Sequence, residues 1–448
     1  MRLATFCVVT FVLLGATRLD AQAAYRAGIG RGDITPEEPI WMAGYGNRNK
    51  PSTGVDQPLH VKALALQHDE ASPLVLITAD IIGFSREVAE EIAGPIQEKF
   101  KLPRENILLV GSHTHTGPVI GKNLRGMFDL KEKDVDVIRR YTKTLIDRSV
   151  SAASEALTKL EPAKLSFGRG RASFAMNRRV FKPGGVNFGV NPDGVADHEV
   201  PVLRIDDDKG QIRAVVFGYA CHCTTLGGDH YRIGGDWAGY AQEYLERANP
   251  GATAFFVTGC GGDANPEPRG KLEFAPRHGL EIAGAVSRVL DGPRATVAAQ
   301  PSAVFQRIEL PLAKAPTREE FEKRLKDKNV FIQRHARRFL DLMDRGDKLP
   351  ASYPCPVQVW QFGKDLTLVA LGGEVVVDYA LRLKRELKDH RLWVAAYAND
   401  VFAYVPSARI LFEGGYEADF NLIYYGLPGR FANDVEEVLI KGVRALVK

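Results

Sequence analysis

Ile107-Leu-Leu-Val-Gly-Ser-His113-Thr-His115-Thr-Gly-Pro118 is the stretch from which the fold and the chemistry of this chain are read. An apolar run of strand character stops at a His-X-His pair and then a Gly-Pro turn. In an extended segment, residues two apart point the same way. Both imidazoles are therefore predicted to face one cleft at the end of a buried strand. Strand ends are where α/β proteins usually place ligands, and imidazole is the commonest metal ligand.

Working outward, two strand-like runs precede this stretch, Val61 to Gln67 and Pro73 to Asp80. An amphipathic helix is predicted from Arg86 to Lys99, with Val88, Ile92, Ile96 and Phe100 on one face. A second long helix is predicted from about Asp134 to Leu160. This alternation implies an α/β fold, with mixed sheets covered by helices and strand-end loops forming a cleft.

The middle third reads as β-rich, with strands at Lys164 to Phe167, Val200 to Asp206, Ile212 to Tyr219 and Thr253 to Val257. A long loop rich in Gly, Asn and Pro is predicted from Phe181 to Asp197. Helices follow at Gly239 to Ala248 and His278 to Leu290. A charged helical insertion with a stripe of Phe321, Leu325, Phe339, Leu342 and Met343 covers about 318–347. Strands near Val357 to Phe362, Leu366 to Leu371 and Trp393 to Tyr397 alternate with helices from Val375 to Lys388 and Asn433 to Leu446. With no repeat and no low-complexity linker, one large domain is expected over 24–448.

The chain opens with Arg2, a short apolar run and Ala21-Gln-Ala23, the pattern of a cleaved secretory signal over 1–23. Export to the periplasm or the medium is the corresponding expectation. No other run is long and apolar enough to span a membrane. A net charge of +4 over 448 residues, without basic and aromatic residues interleaved, excludes a nucleic-acid partner. Outside the leader the cysteines are Cys221, Cys223, Cys260 and Cys355, too few for a disulfide framework. Cys221 and Cys223 read as small buried hydrophobes. Gly28-X-Gly30-X-Gly32 lacks the spacing and the following helix of a nucleotide loop.

A metal needs about three or four ligands, often from separate strand ends. His222 follows the strand Ile212 to Tyr219 as His113 follows its own. Glu374, in Leu371-Gly-Gly-Glu374, lies between strand and helix, where ligation and helix capping are both open. Asp236 is read as a cap, and Tyr404 on residue type alone as core. His60, His68, His198, His278, His335 and His390 lack comparable settings, and His230 is notable only for its nearness to His222.

Taken together, the motifs resemble the neutral/alkaline ceramidases. The resemblance runs through Gly28-Ile-Gly-Arg-Gly-Asp33-Ile-Thr-Pro36, Met42-Ala-Gly-Tyr45, Thr78-Ala-Asp80, Ser112 to Pro118, Asn177-Arg178 and Gly234-Gly-Asp236-X-X-Gly-Tyr240. It continues through Gly262-Asp263-Ala-Asn265-Pro266, Gly373-Glu374, Asn399 to Tyr404 and Glu413-Gly-Gly-Tyr416. It implies a secreted Zn2+ hydrolase of a linear N-acyl bond in sphingolipid metabolism, with a small-molecule or lipid-like substrate. It implies zinc ligands at His113, His222, Glu374 and Tyr404. It also implies a reaction centre lined by His115, Arg178 and Tyr416, with Asp263 and Asn265 in the neighbouring loop.

Two departures stand out. The family loop reads Gly-Asp-X-Ser-Pro-Asn, and Asn265 replaces its serine. An amide can hydrogen-bond a substrate but cannot be an alkoxide nucleophile, so direct attack by water is expected. The sequence also stops soon after Tyr416, where the family usually continues into an immunoglobulin-like domain. Competing readings are weaker. A TIM-barrel amidohydrolase carries its His-X-His on the first strand and alternates βα eightfold; here strands precede the pair. A metallo-β-lactamase needs Asp-His where Thr116-Gly-Pro118 stands. A non-catalytic binding protein that kept the fold would not need the ligand set.

Overall fold

The computed structural model describes residues 25–448, so the predicted signal lies outside the described residues. Two open sheets form the frame. The larger, of nine strands, runs in the order Thr253–Thr258, Ile212–Tyr219, Glu199–Asp206, Glu161–Arg171, Tyr25–Asp33, His60–His68, Leu74–Ala79, Ile107–Gly111. Ala295–Val297 pairs with Glu161–Arg171 off this path. The pairs at the two ends of the order are parallel and the interior pairs are antiparallel. The smaller sheet orders Pro301–Pro311, Ser352–Phe362, Leu366–Leu371 and Leu392–Ala395.

Strand alternation decides what each face meets. On one face of the large sheet, Val61, Ala63, Val75, Ile77 and Leu109 pack on the helices Arg86–Phe100 and Glu132–Thr158. Val215, Phe217 and Phe256 on the same face meet the helices Asp236–Ala248 and Phe274–Asp291. The intervening residues Leu64, Leu76, Leu108 and Phe255 form a dry layer with Trp360, Phe362, Leu368 and Trp393 of the small sheet. The outer face of the small sheet, with Val357, Val369 and Leu371, is covered by the helices Val377–Glu386 and Val435–Leu446. The layers are helix, sheet, sheet, helix, and among the described residues no sheet closes into a barrel.

The glycine run near the start serves packing. A Cβ on Gly28 or Gly30 would overlap the carbonyl oxygens of Ala156 and Ala152, so the bare strand lets the long helix seat against it. The segment 318–347 forms two helices, Arg318–Arg324 and Val330–Asp344, around their own small core of Phe321, Ala336, Phe339 and Leu340. All four described cysteines are free and buried, as expected for small hydrophobes.

The hairpin after Ala175 and the strand Pro301–Pro311 depart most from the sequence reading. The loop expected over 181–197 is largely a β-hairpin, Ala175–Lys182 against Gly185–Asn191, turning at Pro183-Gly184. Its second strand is exposed along most of its length, so no hydrophobic alternation marks it. The strand Pro301–Pro311 pairs with Ser352–Phe362 along its whole length, yet its half-exposed edge position left only a weak period-2 pattern.

Candidate functional site

His113 and His222 follow strands of the large sheet; Glu374 and Tyr404 follow strands of the small one. The site therefore sits at the seam where the strand ends of the two sheets meet. His113 adopts a left-handed backbone, φ 59°, so the His-X-His pair converges through a turn and not through the strand pleat. Thr114 and Thr116 hold that turn by donating to the Gly234 carbonyl at 2.9 and 2.7 Å. Buried Arg48 braces it from behind by donating to the His115 carbonyl at 2.8 Å. Glu374 pairs in parallel with Tyr404 across two short strands. It does not cap the following helix; Asp263 takes that place, accepting from the Val377 amide at 2.9 Å.

The proton positions on two imidazoles follow from their partners. His113 Nδ1 lies 2.6 Å from the Ile82 carbonyl and His222 Nδ1 lies 2.7 Å from the Gly261 carbonyl. A carbonyl only accepts, so each Nδ1 carries the proton and each Nε2 presents a lone pair. Those lone pairs converge. Glu374 Oε2 is 3.0 Å from His113 Nε2 and 3.1 Å from His222 Nε2. His115 Nε2 is 3.1 Å from His113 Nε2, and the Tyr404 hydroxyl is 2.9 Å from His222 Nε2. The three imidazoles offer ligand atoms within 4.8 Å of one another.

Acceptors gathered in this way repel unless a cation lies among them. Protonating His115 or His222 is opposed by burial, which lowers His115 well below its ordinary pKa and His222 to about 4; the neighbouring His113 and Arg178, respectively, push the same way. Glu374 Oε2 is buried without a hydrogen-bond donor, and Oε1 accepts from Tyr425. This set of nitrogen and oxygen donors fits a resident metal ion.

Beside this cluster stands a fixed cation. Arg178 donates through Nη2 to the Tyr404 hydroxyl at 3.0 Å and through Nη1 to Asn265 Oδ1 at 3.3 Å, with Nη1 3.2 Å from His222 Nε2. Burial would lower its pKa, but Tyr404 and Glu417 keep it well above the ordinary value. Phe188 and Tyr416 flank the guanidinium, their ring centres 4.9 and 5.9 Å from its carbon. A cleft of about 350 Å³ opens here, lined by Arg178, Val186, Phe188, Tyr416 and Phe420 among others.

The structure thus brings together His113, His115, His222, Glu374, Tyr404, Arg178, Asn265 and Tyr416. Asp263 faces away, binding the Val377 amide and, through Oδ2, Asn177 Nδ2 at 3.2 Å. Asp236 accepts the amides of Trp237 and Leu226 at 2.6 and 3.1 Å, and His230 pairs with Asp56 at 2.9 Å. Sequence reasoning missed Tyr425, Glu417 and Arg48. Only Glu417 carried a signal, an acid directly after the Glu413-Gly-Gly-Tyr416 motif.

Burial raises the Asp263 pKa from 3.8 to about 6. A raised folded pKa gives stability that is full below the unfolded value and is lost as the pH rises through the folded one. Asp263→Asn removes that dependence. Relative to the wild type it is expected to gain up to about 3 kcal/mol between pH 4 and pH 7. Urea unfolding of both proteins at the two pH values reads this, and a pH-independent difference would refute it.

By fold, the chain superposes on the crystal structure of neutral ceramidase from Pseudomonas aeruginosa with a TM-score of 0.71 and 20% identity, covering 94% of this chain and 73% of that one. A structure titled "Ceramidase complexed with C2" gives a TM-score of 0.70 at 18% identity, covering 95% of this chain and 76% of that one. By sequence, residues 25–276 match the family model "Neutral/alkaline non-lysosomal ceramidase, N-terminal", and the chain belongs to that family. Among curated relatives, neutral ceramidase A of Dictyostelium discoideum is 26% identical over 277 residues, 56% of this chain and 37% of that protein. The neutral ceramidase of Pseudomonas aeruginosa is 24% identical over 257 residues, 54% of this chain and 37% of that protein. The matched segment is thus little more than a third of these relatives' length.

Proposed function

We propose that this protein is an exported, zinc-dependent hydrolase that cleaves the N-acyl amide bond of ceramide-like substrates. The observation that carries the reading is the convergence of unprotonated Nε2 atoms and the Glu374 carboxylate, with the Arg178 cation alongside. His113, His222, Glu374 and Tyr404 would hold the ion. When bound, zinc supplies a Lewis acid that makes water nucleophilic near neutral pH.

The chain's own groups do the rest. Arg178 and the Tyr416 hydroxyl bind the carbonyl oxygen as it gains charge. His115, whose buried Nδ1 has no partner, carries the proton from water to the leaving amine. Asn265 holds Arg178 in place and leaves the attack to water. The names of the relatives support an acyl-amide substrate, and so does the rim of the cleft. Phe188, which lines it, is 53% exposed, and Phe181 and Val190 of the same hairpin are 63% and 54% exposed, an apolar surface suited to a lipid chain. Among the described residues no helix is long and apolar enough to cross a membrane.

A second reading, in which the same centre acts on a different amide, ester or glycoconjugate, is favoured by Asn265 in the place of the family serine. Hydrolysis of ceramide beside small N-acyl and sugar substrates separates the two. Activity is expected on ceramide, lost on chelation and restored by Zn2+. Turnover of another class alone would select the second reading. A well-folded preparation that takes up no metal would overturn both and leave a binding protein.

A further inference from the structure

We propose that Glu417 is a positioning residue that aims Arg178 at the reacting carbonyl; the inference rests on the hydrolase reading of the site. Arg178 and Arg179 are consecutive in a strand, so a regular pleat would send them to opposite faces. The pairing of Ala175–Lys182 with Gly185–Asn191 shifts register between Asn177 and Arg179. An irregularity of this kind re-aims side chains, and here both arginines turn onto one carboxylate. Arg178 Nε lies 2.9 Å from Glu417 Oε1, and Arg179 Nη1 lies 2.5 Å from Glu417 Oε2. The three side chains are at most 5% exposed.

This arrangement fixes more than charge. A guanidinium is planar and rigid, so binding Nε fixes the directions in which Nη1 and Nη2 donate. Those two nitrogens reach Asn265, His222 and Tyr404. Arg179 is itself held by Glu413 at 3.0 Å and by the Gly414 carbonyl at 2.8 Å, so Glu417 cannot swing away. The backbone closes the circuit. Asn421 donates to the Glu417 carbonyl at 3.0 Å and accepts from the Tyr404 amide at 3.1 Å. Glu417, Arg178 and Tyr404 thereby form one loop of hydrogen bonds through side chain and main chain. Two buried cations facing two carboxylates balance the charge.

The test compares Glu417→Gln, Arg178→Lys and the double variant in the full chain. Glu417→Gln is expected to lower kcat/KM roughly 10- to 100-fold, with the loss in kcat and little change in KM. Because both changes act through one guanidinium, the double variant should lose no more than the worse single variant. Losses that multiply would overturn the proposal. A second readout needs no substrate. In the wild type, the buried Arg178 Nε–H should give an exchange-protected 15N–1H signal, assigned by its loss in Arg178→Lys. Glu417→Gln should abolish that protection while the melting transition is kept, and a signal unchanged in Glu417→Gln refutes the positioning role. Where Glu417→Gln does not fold, Glu417→Asp carries the same comparison, keeping the charge and shortening the reach by one methylene. A wild type that cleaves no acyl substrate defeats the hydrolase reading, and the Nε–H signal still decides the role of Glu417.

Discussion

Replacing Glu374 by alanine is expected to strip the protein of metal and of hydrolysis together. Without this carboxylate the cluster retains three imidazoles, the Tyr404 phenol and Arg178, whose Nη1 lies 3.2 Å from His222 Nε2. No carboxylate is then left among the donors, and a dication would have no anion to bind except a phenol that burial holds well above its ordinary pKa. Loss of an outer partner of a metal site already costs about 10- to 100-fold in affinity, so loss of the central carboxylate should exceed 100-fold. His113→Ala should behave alike. Metal analysis after gel filtration, run beside circular dichroism, checks the prediction. A Glu374→Ala protein that keeps its metal would remove this residue from the site.

Arg178→Lys is expected to separate metal binding from catalysis. Lysine keeps a positive charge near Glu417, so the buried pair is not left as an isolated anion. It loses the fork, and with it the simultaneous contacts to Tyr404 and Asn265. Removing one preorganised donor from a developing oxyanion typically costs about 10²–10³ in kcat. The variant should therefore keep its metal and its fold while kcat falls by roughly that amount. A kcat within a few-fold of the wild type would place the carbonyl oxygen elsewhere.

How much of this was legible in the chain depends on whether each residue is marked by its neighbours. His113 and His222 stand out because each closes an apolar strand, and that local pattern survives folding. Glu374 was ambiguous because Gly-Gly-Glu suits a helix cap as well as a ligand; the cap is supplied by Asp263, over a hundred residues earlier in the chain. Tyr404 meets Glu374 through strand pairing between separate segments, a relation no local period records. Only the family resemblance brought it forward. Arg178 needed a register shift, and Glu417 needed the π-helical turn Tyr416–Phe420, neither of which leaves a mark in composition. The alternation of strands and helices was readable; the hairpin was not, because its exposed second strand carries no alternation.

The seam position has a mechanical corollary. His113 and His222 ride on one sheet, Glu374 and Tyr404 on the other, and the distance between these pairs is set by what fills the layer between. Leu76, Leu108 and Phe255 face Trp360, Leu368 and Trp393 there. Protein interiors are packed as densely as crystals and yield little to added volume. That apolar layer acts as a gauge block: its thickness holds the jaws of the site at a set opening. Enlarging an aliphatic side chain in it would spread the jaws and change the spacing between the His113–His222 and Glu374–Tyr404 pairs.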